Sequence, residues 1–233
     1  MKRVRLILMI TVLLLLVTNI HAQEKRDIKL HYKDGNTFTV ALSEIDSITF
    51  ALSEEEEGIV INGVRWATCN VNMPGTFAAK PEDAGMFYQW NRKIGWSSTD
   101  PMINSNGGTT WDSSIPTGDS WEKANDPCPM GWRVPTLAEQ QSLIAAGSEW
   151  TLLNGVNGRY FGSGEQRVFL PAAGYRYDSD GTLSYVGSYG DYWSSTPYPG
   201  SSEDAYGMYF RSEVASTSYY WRSLGFSVRC VSE

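Results

Sequence analysis

The residues of this 233-residue chain best suited to covalent or acid–base chemistry are three cysteines, two histidines and a scatter of carboxylates. Cys69, Cys128 and Cys230 form no Cys-x-x-Cys pair, so a redox-active dithiol motif is missing. His21 lies in a leader-like segment and His31 just after it, far from any nucleophile. A histidine-based zinc centre, a Ser-His-Asp triad and a Cys-His pair all need an imidazole among their partners, and the spacing speaks against each. Asp178-Ser179-Asp180-Gly181 opens like a calcium loop but lacks the later oxygen ligands, and reads instead as a hairpin turn. Asp112, Asp119 and Glu122 fall in or beside loop sequence, where a carboxylate is ordinarily solvated. The expectation is a non-enzymatic protein with no metal site and no cofactor.

What the sequence offers is contact chemistry. Of 13 tyrosines, ten fall at 175, 177, 185, 189, 192, 198, 206, 209, 219 and 220, interleaved with Ser, Gly and Asp. Antibody paratopes share this makeup, because Tyr supplies a large amphipathic contact with few rotatable bonds to freeze. The same mixture suits a glycan, whose apolar faces stack on rings and whose hydroxyls meet hydroxyls. Tyr206 shares a strand face with Met208 and Phe210 and is expected in the core, as is Trp193. Tyr189, Tyr198, Tyr219 and Tyr220 flank turn-like sequence and are expected at the surface. The proposed ligand anchors are Tyr177, Tyr189, Tyr198, Tyr219, Tyr220 and Trp221, with Asp191, Asp204 and Arg211 as polar contacts.

The elements that must hold these residues are mostly short. Lys2, Arg3 and Arg5, an apolar run from Leu6 to Val17 and small Ala22 make residues 1–22 read as a signal peptide. Residues 23–52 read as a small β unit, with alternation over Ile28, Leu30 and Tyr32, an Asp34-Gly35 turn, and Phe38 and Val40 beyond it. The four glutamates at 54–57 mark 53–58 as an acidic linker ahead of a main domain over 59–233. That domain opens with a hairpin on Asn62-Gly63, followed by a short aromatic strand from Met86 to Trp90. A Gly/Ser/Asn-rich stretch from Gly95 to Asp119 carries Trp96 and Trp111, which favour a packed loop. Thr136-Leu137-Ala138-Glu139 fits a capping box for the one clear helix, which Gly147 ends. Strands follow from Arg167 to the end.

A formal charge of −7 and the lack of a basic block after the first residues argue against nucleic acid and against adsorption to an anionic membrane. With 42% apolar and 13% aromatic residues, the chain carries too much apolar surface to remain disordered. In the extracytoplasmic setting that a signal peptide implies (periplasm, cell surface or medium), two of the three cysteines are expected to pair.

Several segments resemble a known family. Cys128-Pro129-Met130-Gly131-Trp132-Arg133-Val134-Pro135-Thr136, Phe169-Leu170-Pro171-Ala172-Ala173-Gly174-Tyr175-Arg176, Gly190-Asp191-Tyr192-Trp193-Ser194-Ser195 and Arg222-Ser223-Leu224-Gly225-Phe226-Ser227-Val228-Arg229-Cys230-Val231 are similar, in order, to signatures of the Fibrobacter succinogenes major paralogous domain (FISUMP). The resemblance implies an α+β, C-type-lectin-like fold, akin to formylglycine-generating enzymes, with short antiparallel strands and one or two helices behind the small β-hairpin unit. It also implies a Cys128–Cys230 disulfide, with Cys69 as the rival partner of Cys128. The expected function is an exported recognition domain that binds an extracellular glycan or protein through its C-terminal loops. The alternative is a structural or assembly subunit of the envelope or fimbriae, with the small β unit as its pairing edge.

Overall fold

The computed structural model describes residues 27–31, 37–41 and 58–233. The signal-peptide reading, the Asp34-Gly35 turn and residues 53–57 of the acidic linker lie outside the described residues. The chain divides into two compact units between Glu54 and Glu55. In the first, β1 (Asp27–His31) pairs antiparallel with β2 (Thr37–Ala41), in a register that sets Leu30 opposite Phe38.

The second unit starts with β3 (Ile59–Ile61) and β4 (Val64–Trp66), joined by Asn62 and Gly63 at φ of 51° and 82°. Those paired positive angles suit a tight turn whose twist matches the flanking strands. A second hairpin pairs β5 (Met86–Tyr88) with β6 (Gly95–Ser97). The short strand β7 (Trp132–Arg133) precedes helix α1 (Leu137–Ala145). Thr136 and Glu139 close the capping box at its start. Glu139 also holds Arg133 at 2.6 Å, which fixes the helix to the strand before it.

A meander follows: β8 (Ser148–Leu153), β9 (Val156–Ser163) and β10 (Gln166–Pro171). Next come the pair β11 (Tyr175–Arg176) and β12 (Leu183–Ser184), and a three-stranded sheet of β13 (Gly190–Pro197), β14 (Asp204–Phe210) and β15 (Ala215–Trp221). The last strand, β16 (Val231–Ser232), inserts between β4 and β7, so the end of the chain closes the sheet begun at Ile59.

This architecture corrects the expected α+β class. Among the described residues one nine-residue α-helix stands beside small antiparallel sheets, and the fold is mostly β. The physical reason lies in the sequence between Gly147 and Pro171. Trp150, Thr151, Val156, Tyr160 and Phe161 suit pleated backbone, and Asn154-Gly155 (φ 47° and 87°) turns the chain between β8 and β9. The helix supplies a single packing stripe, with Leu143 in the core and Gln140 donating to the carbonyls of Tyr192 and Trp193.

Two aromatic cores hold the unit together. One gathers Trp90, Trp193, Phe226 and Val228; the other gathers Trp66, Phe161, Phe210 and Leu143. Cys128 and Cys230 form a disulfide across 102 residues of chain, which agrees with the pairing implied by resemblance. Cys69 is buried outside that bond, its sulfur 3.6 Å from Thr68 Oγ1. Arg176 is fully buried and donates to the carbonyls of Ser97, Thr99 and Gly181 at 2.7–2.8 Å. Trp111 Nε1 donates to Asp178 O, and its ring packs against Trp96. The stretch after Gly95 is thereby a fastened loop, as its tryptophans predict.

Candidate functional site

Register decides which of the tyrosines can act together, because directly paired residues in an antiparallel sheet share a face. On β13–β15, the pairs Asp204–Trp221, Tyr206–Tyr219 and Tyr192–Met208 lie on one face. Asp191–Tyr209, Tyr209–Ser216 and Ala205–Tyr220 lie on the other. Neighbouring residues along a strand point oppositely, so Tyr219 and Tyr220 cannot form one contact patch.

The first face ends in an exposed aromatic group. Tyr219 and Trp221 keep 50% and 53% of their surface open to solvent, two residues apart on the sheet's edge strand. Tyr198 lies flat against Tyr219, with centroids 4.0 Å apart and planes within 6°, and packs edge-on against Tyr206. Tyr219 is therefore a backed ring with little freedom to lose on contact. The neighbouring Tyr219 raises the Tyr198 phenol above its usual range. Asp204 is half-buried beside Trp221 and gives its carbonyl to Arg222 Nε at 3.0 Å. Arg222 is buried with its guanidinium 4.1 Å from the Trp90 ring, which anchors the end of β15 to the first core.

The second face is different. Asp191 is 3% exposed, and its Oδ2 meets no hydrogen-bond partner. Burial pushes its carboxyl up to about 8. Asp191 stands opposite Tyr209 and within electrostatic reach of Tyr175 and Tyr220. Both phenols are raised, first by burial and then by the Asp191 charge. Tyr220 packs edge-on against Phe226 at 5.0 Å, as a partly buried extension of the core.

The remaining expected anchors are dispersed. Tyr177 is exposed at the β11–β12 turn, where its carbonyl accepts from Gly181 N. Tyr189 is half-buried, tilted against Tyr185, with its hydroxyl 3.2 Å from Arg211 Nη1. Arg211 is exposed and has Glu213 at 3.8 Å. The expected nine-residue surface therefore resolves into the Tyr198–Tyr219–Trp221 group with Asp204, the Asp191–Tyr220 group on the reverse face, and two outlying tyrosines, Tyr177 and Tyr189, the latter with Arg211 beside it. Alternation along β13 and β15 is the reason: Asp191 and Tyr220 occupy inward positions that turn-like flanking sequence did not disclose.

One feature escaped the sequence reading. A cavity of about 660 Å³ opens between the Gln89–Ile94 turn and the 112–117 segment of the fastened loop. Its floor amides are committed within the protein: Gln89 donates to Asp112 O and Ser223 O, and Asn91 donates to Thr117 O. Arg92 is held by Asp112 at 2.5 Å and by Ser114 Oγ at 2.6 Å. The long Gly/Ser loop was the only signal of it in the sequence.

In comparison with known proteins, no curated protein and no solved structure matches the chain. A family model described as a domain of unknown function (DUF8237) matches residues 151–231. That stretch runs from β8 into β16 and contains both tyrosine groups.

Proposed function

We propose that the chain is an exported, non-enzymatic recognition protein that binds an extracellular glycan on the exposed face of β15, with Tyr219 and Trp221 as stacking platforms. One observation carries the reading: two large rings, each about half exposed, share one face at an edge strand, and one is backed by Tyr198. Rings of this kind stack on the apolar faces of sugars, and a ring already held in place loses little entropy on binding. Ser202 and Glu203, both exposed, immediately precede Asp204, which pairs with Trp221, and carry hydrogen-bonding groups suited to sugar hydroxyls. The Cys128–Cys230 bond and the leader-like amino end both suit an oxidising compartment. The FISUMP-like segments support export without specifying a ligand.

The test is capture of the purified chain on immobilised polysaccharides and arrayed glycans, with the Tyr219→Ala/Trp221→Ala double variant in parallel. Selective retention that the double variant loses by at least tenfold supports the proposal, a loss of about 1.4 kcal/mol. Failure to retain any glycan, or equal retention of the variant, rejects it.

A further inference from the structure

The reverse face of the same sheet raises a separate question, which does not depend on the glycan reading. Asp191 is a nearly enclosed carboxyl whose Oδ2 lacks a partner, and no ion pair among the described residues includes it. A buried carboxylate left without hydrogen bonds or counter-charge is strongly disfavoured. Its surroundings are aromatic. Tyr209 faces it across the strand pair, while Tyr175 and Tyr220 approach from the flanking segments. Phe226 touches Tyr175, Tyr220 and Trp193, and so forms the floor between them. Tyr175, Tyr209 and Tyr220 are only half-buried, so this ring cluster reaches the surface.

Ring faces carry negative electrostatic potential and attract cations, and Asp191 adds a full charge once a cation beside it draws its proton off. Burial keeps Asp191 protonated near neutral pH, and only a cationic guest supplies the counter-charge that lets it ionise there. The same chemistry occurs once nearby in sequence: Arg211 lies 6.0 Å from the Tyr189 centroid, held by the Tyr189 hydroxyl and by Glu213 rather than by Asp191. We propose that this ring cluster binds an aliphatic ammonium group, with Asp191 as its counter-ion and the rings of Tyr175, Tyr209 and Tyr220 around it. The group could belong to a small quaternary amine or to a lysine side chain, and both present the same cation on an alkyl stem.

Calorimetric titration of the full chain with choline, n-butylammonium, N-acetyl-lysine amide and the neutral isostere 3,3-dimethylbutan-1-ol tests it. Binding of at least one ammonium compound, with the isostere at least tenfold weaker, is the expected result. Asp191→Asn, nearly isosteric, should weaken that binding at least tenfold while near-ultraviolet circular dichroism shows an intact fold. Tyr209→Ala, at a half-exposed position, should weaken it severalfold. Preference for choline would identify a quaternary head group, and preference for the lysine amide a protein side chain. Absence of ammonium binding at millimolar concentration, equal binding of the neutral isostere, or unchanged binding in folded Asp191→Asn would overturn the assignment.

Discussion

Replacing Asp191 with Asn should reverse its effect on stability between acid and neutral pH. The carboxyl has an ordinary value of 3.8 when exposed and about 8 in the folded protein, where burial disfavours its charge. The folded state therefore holds this proton more tightly than the unfolded chain. Below pH 3.8 both states are protonated and the group has no linked effect. As pH rises from there towards 8, the unfolded chain releases the proton first, and stability falls by about 1.4 kcal/mol per pH unit. At pH 7 the wild-type chain has lost up to about 4 kcal/mol through this group alone. Asn cannot ionise, so the variant escapes the decline but keeps a buried amide without sure partners, a fixed penalty of about 1–3 kcal/mol. The variant should be the less stable protein at pH 4 and the more stable one at pH 7–8. With about 2–4 °C per kcal/mol for a domain this size, the difference in melting temperature should swing by roughly 10 °C across that range. Calorimetric melts of both chains at half-unit steps from pH 4 to 9 supply the comparison, in which all other titrating groups cancel. Parallel curves would refute the argument, because they would mean Asp191 titrates normally in the fold.

Two further outcomes follow from the packing. Replacing both Cys128 and Cys230 with Ala reopens a 102-residue loop. It should lower unfolding free energy by about 4–5 kcal/mol in urea titrations, and an unchanged midpoint would contradict the assigned role of the bond. Arg176→Ala strips three carbonyls of a buried donor and should cost about 3–5 kcal/mol. Arg176→Lys should fall between, since an ammonium lacks the planar fork. Hydrogen exchange over residues 97–111 should accelerate in Arg176→Ala relative to the rest of the unit, and uniform protection would contradict the fastening of that loop.

Local signals in the sequence were reliable where chemistry is local. Asn62-Gly63 turned a hairpin, Thr136 and Glu139 capped the helix, and Trp96 and Trp111 marked a packed loop, because each depends on residues close in the chain. The fold departs from the α+β class that the resemblance implies because residues 148–163 carry strand-forming side chains and pair as β8 and β9. Asn154-Gly155 between two runs of strand-forming residues was legible there without any structure. The site was legible only in composition. That tyrosines cluster near the carboxyl end is a property of sequence, but which rings face outward depends on pairing partners far along the chain. Tyr219 and Tyr220 look equivalent as neighbours, and only the opposition of Tyr206 to Tyr219 and of Ala205 to Tyr220 separates them. The cavity beside Arg92 had no sequence signal beyond loop length, since its walls meet through Gln89 and Asp112, 23 residues apart.

The most direct measurement of the recognition account is the dissociation constant of an array-selected glycan for Tyr219→Ala, Trp221→Ala and Tyr220→Phe, each beside the unaltered chain. The account expects at least a tenfold weakening for each of the first two and no change for the third, whose hydroxyl lies on the reverse face. Undiminished binding by Trp221→Ala, or a larger loss in Tyr220→Phe than in Tyr219→Ala, would contradict it.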